Sequence, residues 1–346
     1  MTIDPKRYTS GRIAVANLSA SIESLEFRRI ERSTFEDLLG LSKLLFLRGD
    51  LLGRITDHDR AELIANEAIA LSSDSASALC ISARLASRFH RFHEADALLD
   101  QAIAAGHPKQ EIDVEKAGLL QATGQYSEAL ILREKLANDD PGIHTFGALA
   151  SLLAEMDEWI EAEICYTAAL DADNGISPLP CGQLLFEWAV NAMRRGELQR
   201  AEMIFAELDS ILPAHVPGRG HRAEVELARG RLDAAATLVA PLLEMSDDPE
   251  YRATYAEILA ARGEKKLAAL EAERAAAEYE CLLARRPEAY ADHAAAFFMG
   301  VGNRPQRAVE LASANWKLRD TPRSRSLMAK ALRKAQQVSL VQEGAA

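Results

Sequence analysis

Residues 189–213 read AVNAMRRGELQRAEMIFAELDSILP, and this stretch decides the fold of the chain. Ala189 is followed by Gly196, then by Ala201, and Pro213 closes the stretch. Apolar residues recur at helical spacing on both sides of the glycine, which predicts two helices joined by a short turn. The proline ends the second helix because it cannot continue the backbone hydrogen bonding. The stretch therefore predicts a helical hairpin.

The same hairpin recurs along the chain. Alanines equivalent to Ala201 follow one another at intervals of 34, 34, 33, 39, 34, 33 and 40 residues, at Ala61, Ala95, Ala129, Ala162, Ala201, Ala235, Ala268 and Ala308. Twelve residues before each of them stands another small residue, at Gly49, Ala83, Ala117, Ala150, Ala189, Ala223, Ala256 and Ala296. Small residues in register let paired helices approach closely, so the two columns indicate a repeat array.

Segments such as 117–141 and 189–213 carry the small residues, the turn glycine and the closing proline in one order, and they resemble the tetratricopeptide repeat (TPR). The resemblance covers roughly residues 35–336. It implies an all-α, right-handed superhelical solenoid of about eight antiparallel helix pairs. The predicted parts are an N-terminal tail or capping helix at 1–33, the TPR-like array at 34–320, and a C-terminal capping helix with a frayed end at 321–346.

Two intervals depart from the period. The interval of 39 places a loop with two prolines at 175–180. The interval of 40 arises differently, because residues 264–286 contain neither glycine nor proline and predict one helix of roughly 34 Å. This helix is expected to project beyond its neighbours and to bend the superhelix or carry a partner. After the last hairpin, Thr321 and Pro322 are expected to start a capping helix.

Composition excludes several classes of function. Lys+Arg 40 against Asp+Glu 52 gives a net charge of −12, which argues against nucleic acid and anionic membranes as partners. The four cysteines are far apart in sequence, so no redox or metal framework is predicted. No stretch has the length and apolarity of a signal peptide or membrane span, and we expect a cytoplasmic protein.

The charge is unevenly distributed along the chain. Residues 1–32 carry +2 and residues 301–346 carry +6, so residues 33–300 carry −20. An acidic array with a basic end is compatible with head-to-tail self-association or with a partner that has a basic segment. The same charge also keeps an alanine-rich array soluble without any partner.

The usual catalytic signatures are missing from the sequence. The chain has no G-x-S-x-G, H-E-x-x-H, G-x-x-x-x-G-K-[ST] or G-x-G-x-x-G motif, and no enzyme activity, cofactor or metal site is predicted. His90 and His93 are expected to lie in a helix-connecting turn, with His90 in the place of the usual glycine. The aspartate pairs at 139–140 and 247–248 are interpreted as helix caps.

The resemblance implies that the first helix of each hairpin lines a concave face. The predicted peptide-binding residues there are Arg84, Arg88, Gln121, His144, Glu155, Gln183, Phe186, Val190, Arg194, Glu224, Tyr290 and His293. Arg84 and Arg88 form a like-charged pair on one helix face, which is unfavourable unless an anion compensates. This mixture suits an extended peptide whose free carboxylate meets the arginines and whose apolar side chain binds further along. The full Asn and Lys set of a carboxylate clamp is not present.

Three functional hypotheses remain open at this point. The first is a non-enzymatic scaffold or adaptor that binds a protein or peptide in the concave groove. The second is a regulatory protein whose groove, or whose His215–His221 region, binds a small anionic ligand. The third is an unrecognised enzyme built on helical repeats. The fold alone does not distinguish these three hypotheses, since proteins that share one repeat architecture have many different functions.

Overall fold

The computed structural model describes residues 3–32 and 34–344, and this part of the chain is helical and contains no strand. A short 3-10 helix, Pro5–Arg7, comes first. The α-helices are α1 Gly11–Arg32, α2 Phe35–Leu52, α3 Ile55–Leu71, α4 Ala76–Arg88, α5 Phe92–Ala104, α6 Lys109–Thr123, α7 Tyr126–Asp139, α8 Ile143–Glu155, α9 Trp159–Ala172, α10 Pro178–Arg194, α11 Leu198–Ile211, α12 Val216–Ala228, α13 Leu232–Val239, α14 Leu242–Met245, α15 Pro249–Ala261, α16 Lys265–Arg285, α17 Pro287–Met299, α18 Pro305–Leu318 and α19 Pro322–Gly344. None of these helices is long and apolar enough to span a membrane.

Helices α2 to α18 pair into eight antiparallel hairpins, the sixth of which has its second helix divided into α13 and α14. Consecutive hairpins pack side by side, and α19 packs against α17 and α18. The predicted all-α TPR-like solenoid is thereby confirmed.

A residue in the left-handed backbone conformation makes the turn inside each of the eight hairpins. These residues and their φ angles are Gly53 (59°), His90 (58°), Gly124 (87°), Asp157 (68°), Gly196 (85°), Gly230 (75°), Gly263 (80°) and Asn303 (47°). The sequence indicated Gly124, Gly196, Gly230, Gly263 and His90. Asp157 and Asn303 fill the same role because aspartate and asparagine tolerate this backbone conformation better than most side chains.

The two columns of small residues lie where the helices of a hairpin touch. All eight alanines equivalent to Ala201 are 5% exposed or less. The column twelve residues earlier is also buried, except for Ala296, which lines an interior cavity. A larger side chain at the buried positions would force the paired helices apart, since protein interiors are close-packed.

The superhelix closes on itself, so that successive turns touch. The backbone N–H groups of Ile55 and Thr56, at the start of α3, donate to the Asp247 carboxylate at 2.6 and 3.0 Å. Two further contacts join successive turns of the superhelix. His90 Nδ1 lies 2.9 Å from the Glu288 carbonyl oxygen, and the backbone of Gly124 packs against the Asp320 carbonyl. Each contact joins hairpins about six apart. The concave face is therefore the inner wall of a channel.

The long helix α16 takes part in this closure. Its length confirms the prediction of one uninterrupted helix, but the prediction that it projects freely is wrong. Arg286, directly after α16, contacts α3 through Nε–Asp59 Oδ1 at 2.8 Å and Nη2–Glu62 Oε2 at 2.6 Å. Its guanidinium also lies 3.5 Å from the centroid of the Phe89 ring. The C-terminal end of α16 thus clamps one turn of the superhelix to the next.

Both ends of the described chain are packed onto the array. Tyr8 donates its hydroxyl to Asp173 at 2.7 Å, which fastens the N-terminal segment to the loop before α10. At the other end Thr321 caps α19, as predicted, by accepting the Ser324 N–H at 3.1 Å. Helix α19 continues to Gly344, beyond the point near Val338 where the sequence predicts fraying. Residues 345 and 346 lie outside the described part.

The aspartate pairs have different roles. Asp248 caps α15 by accepting the Glu250 N–H at 2.9 Å, and Asp247 caps α3 from the neighbouring turn. The interpretation of Asp139 as a cap is wrong, because its carboxylate pairs with Lys135 at 2.9 Å. Asp140 does take a cap position, at the C-terminus of α7, where its backbone N–H donates to the Leu136 carbonyl at 3.0 Å, whereas the N-cap of α8 is Gly142.

The contact at Gly124 gives a test of the closure. A Cβ at Gly124 would clash with the Asp320 carbonyl, whereas a Cβ at Gly196, with nearly the same φ, meets nothing within 4 Å. Gly196→Ala is expected to cost about 1 kcal/mol, the price of a left-handed alanine. Gly124→Ala is expected to cost on the order of 2 kcal/mol more, because the turn and α19 must separate. Urea unfolding followed by circular dichroism measures both, and equal losses would contradict direct contact between the turns.

Candidate functional site

The channel contains two adjoining cavities. The larger has a volume of about 1120 Å³ and the smaller about 630 Å³, and they share Ala148 and Glu187 in their walls. Most of the lining comes from the first helices of the hairpins, joined in the larger cavity by α19. Because the two cavities share wall residues, they lie side by side along the channel.

Nine of the twelve predicted peptide-binding residues line this channel. The larger cavity is lined by Gln121, Glu155, Val190, Arg194, Glu224 and His293. The smaller cavity is lined by Arg84, His144 and Gln183. The structure therefore separates Arg84 from Arg194, which the sequence analysis had assigned to one section of the groove.

The other three predicted residues point into packed surroundings. Tyr290 is 4% exposed and belongs to the apolar cluster built mainly by α16 to α18. Phe186 packs between two imidazoles, with ring centroids 4.9 Å from His215 and 5.7 Å from His221. Arg88 is half-buried beside Asp50. These side chains fill gaps between neighbouring helices instead of lining the cavities.

Arg84 and Arg88 do require an anion, and the chain supplies it. Arg84 Nε lies 3.0 Å from Glu115 Oε1 on the next hairpin. Arg88 Nε lies 3.7 Å from Asp50 Oδ1 on the preceding hairpin. Both guanidinium charges are compensated within the wall, so neither is a free site for a ligand carboxylate.

A different group of arginines lines the larger cavity, and two of its three members make no ion pair with another described residue. Arg194, Arg319 and Arg323 all line it, and Arg319 is paired with Asp292. Among the residues that the structure describes, neither Arg194 nor Arg323 has a carboxylate within ion-pair distance. Burial and the charge of Arg323 lower the pKa of Arg194 to about 10. We call Arg194, Arg319 and Arg323 the arginine group.

The sequence analysis found only one member of this group. Arg319 and Arg323 flank the start of α19, after the last hairpin, where the repeat period no longer assigns positions to the concave face. The only available signal was the excess of basic residues at 301–346. From the sequence, that excess was interpreted as a basic end suited to head-to-tail self-association.

Opposite charges gather on another part of the same wall. His221 Nδ1 lies 3.0 Å from Glu224 Oε2 on α12, and His293 Nδ1 on α17 lies 3.5 Å from Glu250 Oε2 on α15. Asp292 and Glu250 raise the pKa of His293 to about 9. Burial and the nearby Glu224 raise the pKa of Glu257 to about 7. We call His221, Glu224, Glu250 and His293 the histidine–glutamate group.

This group includes the residues best suited to hold a cation. One ligand atom each from His221, Glu224 and Glu250 lie within 4.8 Å of one another. Sequence analysis predicted no metal site, because the residues come from different hairpins and only the spacing of His221 and Glu224 is local. The wall as a whole offers cationic and anionic groups close together, and so it suits a ligand that carries both charges.

Known proteins match this chain in structure, at low sequence identity. No protein-family model and no curated protein matches the sequence. Among solved structures, a tetratricopeptide repeat protein from Parabacteroides merdae matches at 19% identity and TM-score 0.46, covering 70% of this chain and 93% of that one. The type IV pilus biogenesis factor PilW matches at 17% and 0.42, covering 61% and 93%.

The Cut9–Hcn1 hetero-tetramer of APC/C matches at 13% identity and TM-score 0.51, covering 86% of this chain and 55% of that one. At such identities the likeness concerns the fold alone. Together with the eight hairpins, their left-handed turns and their alanine columns, it identifies the chain as having the fold of tetratricopeptide repeat proteins.

Proposed function

We propose that the protein is a non-enzymatic scaffold that binds an extended segment of a partner protein inside its channel. The observation that carries the proposal is the interior channel with its two adjoining cavities. Its larger cavity, at about 1120 Å³, lies above the range of roughly 300–1,000 Å³ that is usual for small-molecule sites. An extended segment fills such a channel, and side chains from several hairpins can contact it at once.

The charges of the wall indicate what kind of segment fits. The arginine group suits a carboxylate, either a chain terminus or an acidic side chain, since guanidinium binds carboxylates through paired hydrogen bonds. Glu257, a carboxyl group in the wall of the same cavity, suits a basic side chain of the segment. Because the turns of the superhelix touch, the segment has to enter from an end of the channel. We infer a partner with a flexible terminus that carries charges of both signs.

A displayed library of random peptides, panned against the immobilised protein, tests this proposal. Selected peptides are expected to be rich in acidic residues. Arg194→Glu/Arg323→Glu is expected to weaken their binding more than tenfold, roughly the effect of losing charge-assisted hydrogen bonds. The matched control is Lys265→Glu/Lys266→Glu, which makes the same charge change at exposed positions of α16. Unchanged affinity in the channel variant would place the binding surface elsewhere.

The second candidate is a regulatory protein that binds a small anionic ligand. The unpaired Arg194 and Arg323 favour it, because two cations without partners are stabilised by any anion that reaches them. Thermal unfolding with free di- and tricarboxylates separates the candidates. A large rise in the melting temperature without peptide, absent in Arg194→Glu/Arg323→Glu, would favour the small ligand over the scaffold.

A further inference from the structure

Three neighbouring hairpins bring two histidines and two glutamates to one point of the channel wall. His221 and Glu224 are three residues apart on α12 and therefore share a helix face. Glu250 stands in the first turn of α15, and His293 stands on α17. All four side chains line the larger cavity. Their convergence depends on the packing of the hairpins and not on any single helix.

Three members of the group, His221, Glu224 and Glu250, bring their ligand atoms close together, and His293 lies beside one of them. Tetrahedral zinc sites have Zn–N and Zn–O bonds of about 2.0–2.2 Å, so neighbouring ligand atoms lie about 3.4 Å apart. His221 Nδ1 and Glu224 Oε2 are 3.0 Å apart, and His293 Nδ1 and Glu250 Oε2 are 3.5 Å apart. The ligand atoms of His221, Glu224 and Glu250 lie within 4.8 Å of one another, which small side-chain rotations reduce to the required spacing.

Two separate histidine–glutamate ion pairs do not account for the whole arrangement. Oxygens of Glu224 and Glu250, which come from different helices, also converge to within 4.8 Å. Glu257, one further carboxylate, lies on the same cavity wall. Anionic carboxylates in a partly buried place repel one another, and a divalent cation between them removes this repulsion. Imidazole nitrogen together with carboxylate oxygen is a ligand set that suits zinc and other divalent transition metals.

Neighbouring residues hold these side chains in position. The Phe186 ring stacks on the His221 imidazole with 5.7 Å between centroids and 29° between planes. Asp248 caps α15 at the Glu250 backbone N–H, and the Asp292 carboxylate accepts the His293 backbone N–H at 2.9 Å and lies 4.0 Å from the His293 Nε2. Outer contacts of this kind orient the ligands in metal sites and contribute to affinity. The group is thus held in place before any ion binds.

We propose that His221, Glu224, Glu250 and His293 form a structural binding site for one divalent transition metal ion of the zinc type. The ion joins α12, α15 and α17, the first helices of three consecutive hairpins, and so fixes the angle between those hairpins. The ligand atoms of His221, Glu224 and Glu250 already converge, and the proposal places His293, next to Glu250, as the fourth ligand of a tetrahedral shell of the kind found in structural zinc sites. Since the folded chain binds the ion and the unfolded chain lacks the assembled site, the ion raises the stability of this part of the superhelix.

Equilibrium dialysis of the untagged, EDTA-treated full chain against Zn²⁺, followed by elemental analysis, tests the site. We expect one zinc per wild-type chain and a higher melting temperature with Zn²⁺. His221→Gln and His293→Gln are each expected to weaken binding by more than roughly tenfold, since even outer residues of metal sites have effects of that size. The matched control is His93→Gln, at an exposed histidine outside both cavities, and it is expected to bind zinc like the wild type.

Glu250→Gln serves as a further ligand variant where a histidine variant does not give the wild-type circular dichroism spectrum. Absence of stoichiometric zinc in the wild type would overturn the proposal. Undiminished zinc binding in the folded ligand variants would overturn it as well. Because the measurement uses the metal alone, it is independent of whether the channel binds a peptide.

Discussion

Replacing Asp57 with alanine is expected to destabilise the protein by about 3–5 kcal/mol, as removal of one partner from a buried ion pair does. Arg48 on α2 holds the Asp57 carboxylate on α3 in a two-point contact, with Nε–Oδ2 and Nη2–Oδ1 both at 2.7 Å. The two side chains are only 11% and 4% exposed. Without the carboxylate, the guanidinium is left in a site that water scarcely reaches, and this desolvated charge is the main cost.

Urea unfolding of the wild type and variants measures the effect. The control is Asp139→Ala, which removes a carboxylate from an exposed pair with Lys135 (52% and 53% exposed) and is expected to cost less than about 1 kcal/mol. The double variant Arg48→Met/Asp57→Leu is expected to recover most of the loss, because no buried charge then lacks a partner. A cost below about 1 kcal/mol for Asp57→Ala would show that water reaches Arg48 in the folded state.

The Asp57→Ala substitution is also expected to affect the contacts between the first hairpin and the neighbouring turn of the superhelix. The start of α3, where Asp57 stands, is also the place where Asp247 caps the helix from the neighbouring turn. A loosened first hairpin therefore loses one of the contacts that close the channel. We expect the overall dimensions of Asp57→Ala in solution to exceed those of the wild type, and small-angle X-ray scattering measures this difference.

The fold was predictable from sequence because a repeat array is determined by local interactions. The alanine columns encode the close approach of the two helices in each hairpin, and Gly124, Gly196 or His90 encode the turn between them. Each hairpin contacts mainly the hairpins next to it in sequence, so a wrong prediction for one hairpin does not affect the prediction for the others. Even the long α16 was visible, as an uninterrupted run without glycine or proline.

The closure of the superhelix was not predictable in the same way. It depends on the small rotation from each hairpin to the next, which adds up over about six hairpins. The spacing of residues in the sequence does not determine the size of that rotation. The contact of Asp247 with Ile55 spans 192 residues. Arg286 was therefore expected at the end of a freely projecting helix, although it clamps α3. For the same reason, the sequence did not show that Arg319 and Arg323 line the larger cavity.

The candidate site was predictable only in outline. Helical periodicity selected residues that face the channel, and nine of the twelve do line it. Periodicity does not show which charges are already paired. Arg84 and Arg88 were expected to bind a ligand anion, and the structure pairs them with Glu115 and Asp50. Charge compensation across hairpins is a property of the packed array.

His215 is expected to make the stability of the protein strongly dependent on pH. Its side chain is 4% exposed, and Nδ1 accepts the Gly218 N–H at 3.0 Å, which caps α12 beside the smaller cavity. Only the unprotonated nitrogen can accept this hydrogen bond. Burial lowers the pKa of His215 from its ordinary value of 6.5 to about 4. The folded protein therefore keeps this imidazole neutral well below the pH at which the unfolded chain binds a proton.

The sign of the effect follows from proton uptake. Between pH 6.5 and about 4 the unfolded chain carries a proton on His215 that the folded chain lacks, so the free energy of unfolding falls as the pH falls through this range. The loss attributable to His215 reaches about 3 kcal/mol at pH 4. His215→Asn retains an oxygen that can cap α12 and does not titrate, so its stability is expected to fall less steeply than that of the wild type.

Urea unfolding at a series of pH values gives the slope of the free energy of unfolding against pH for the wild type and for His215→Asn. The control is His93→Asn, at an exposed histidine, which is expected to keep the wild-type slope. Equal slopes for His215→Asn and the wild type would mean that His215 is not held neutral by burial. The smaller cavity would then be wetter at its α12 end than the packing of His215 against Phe186 implies.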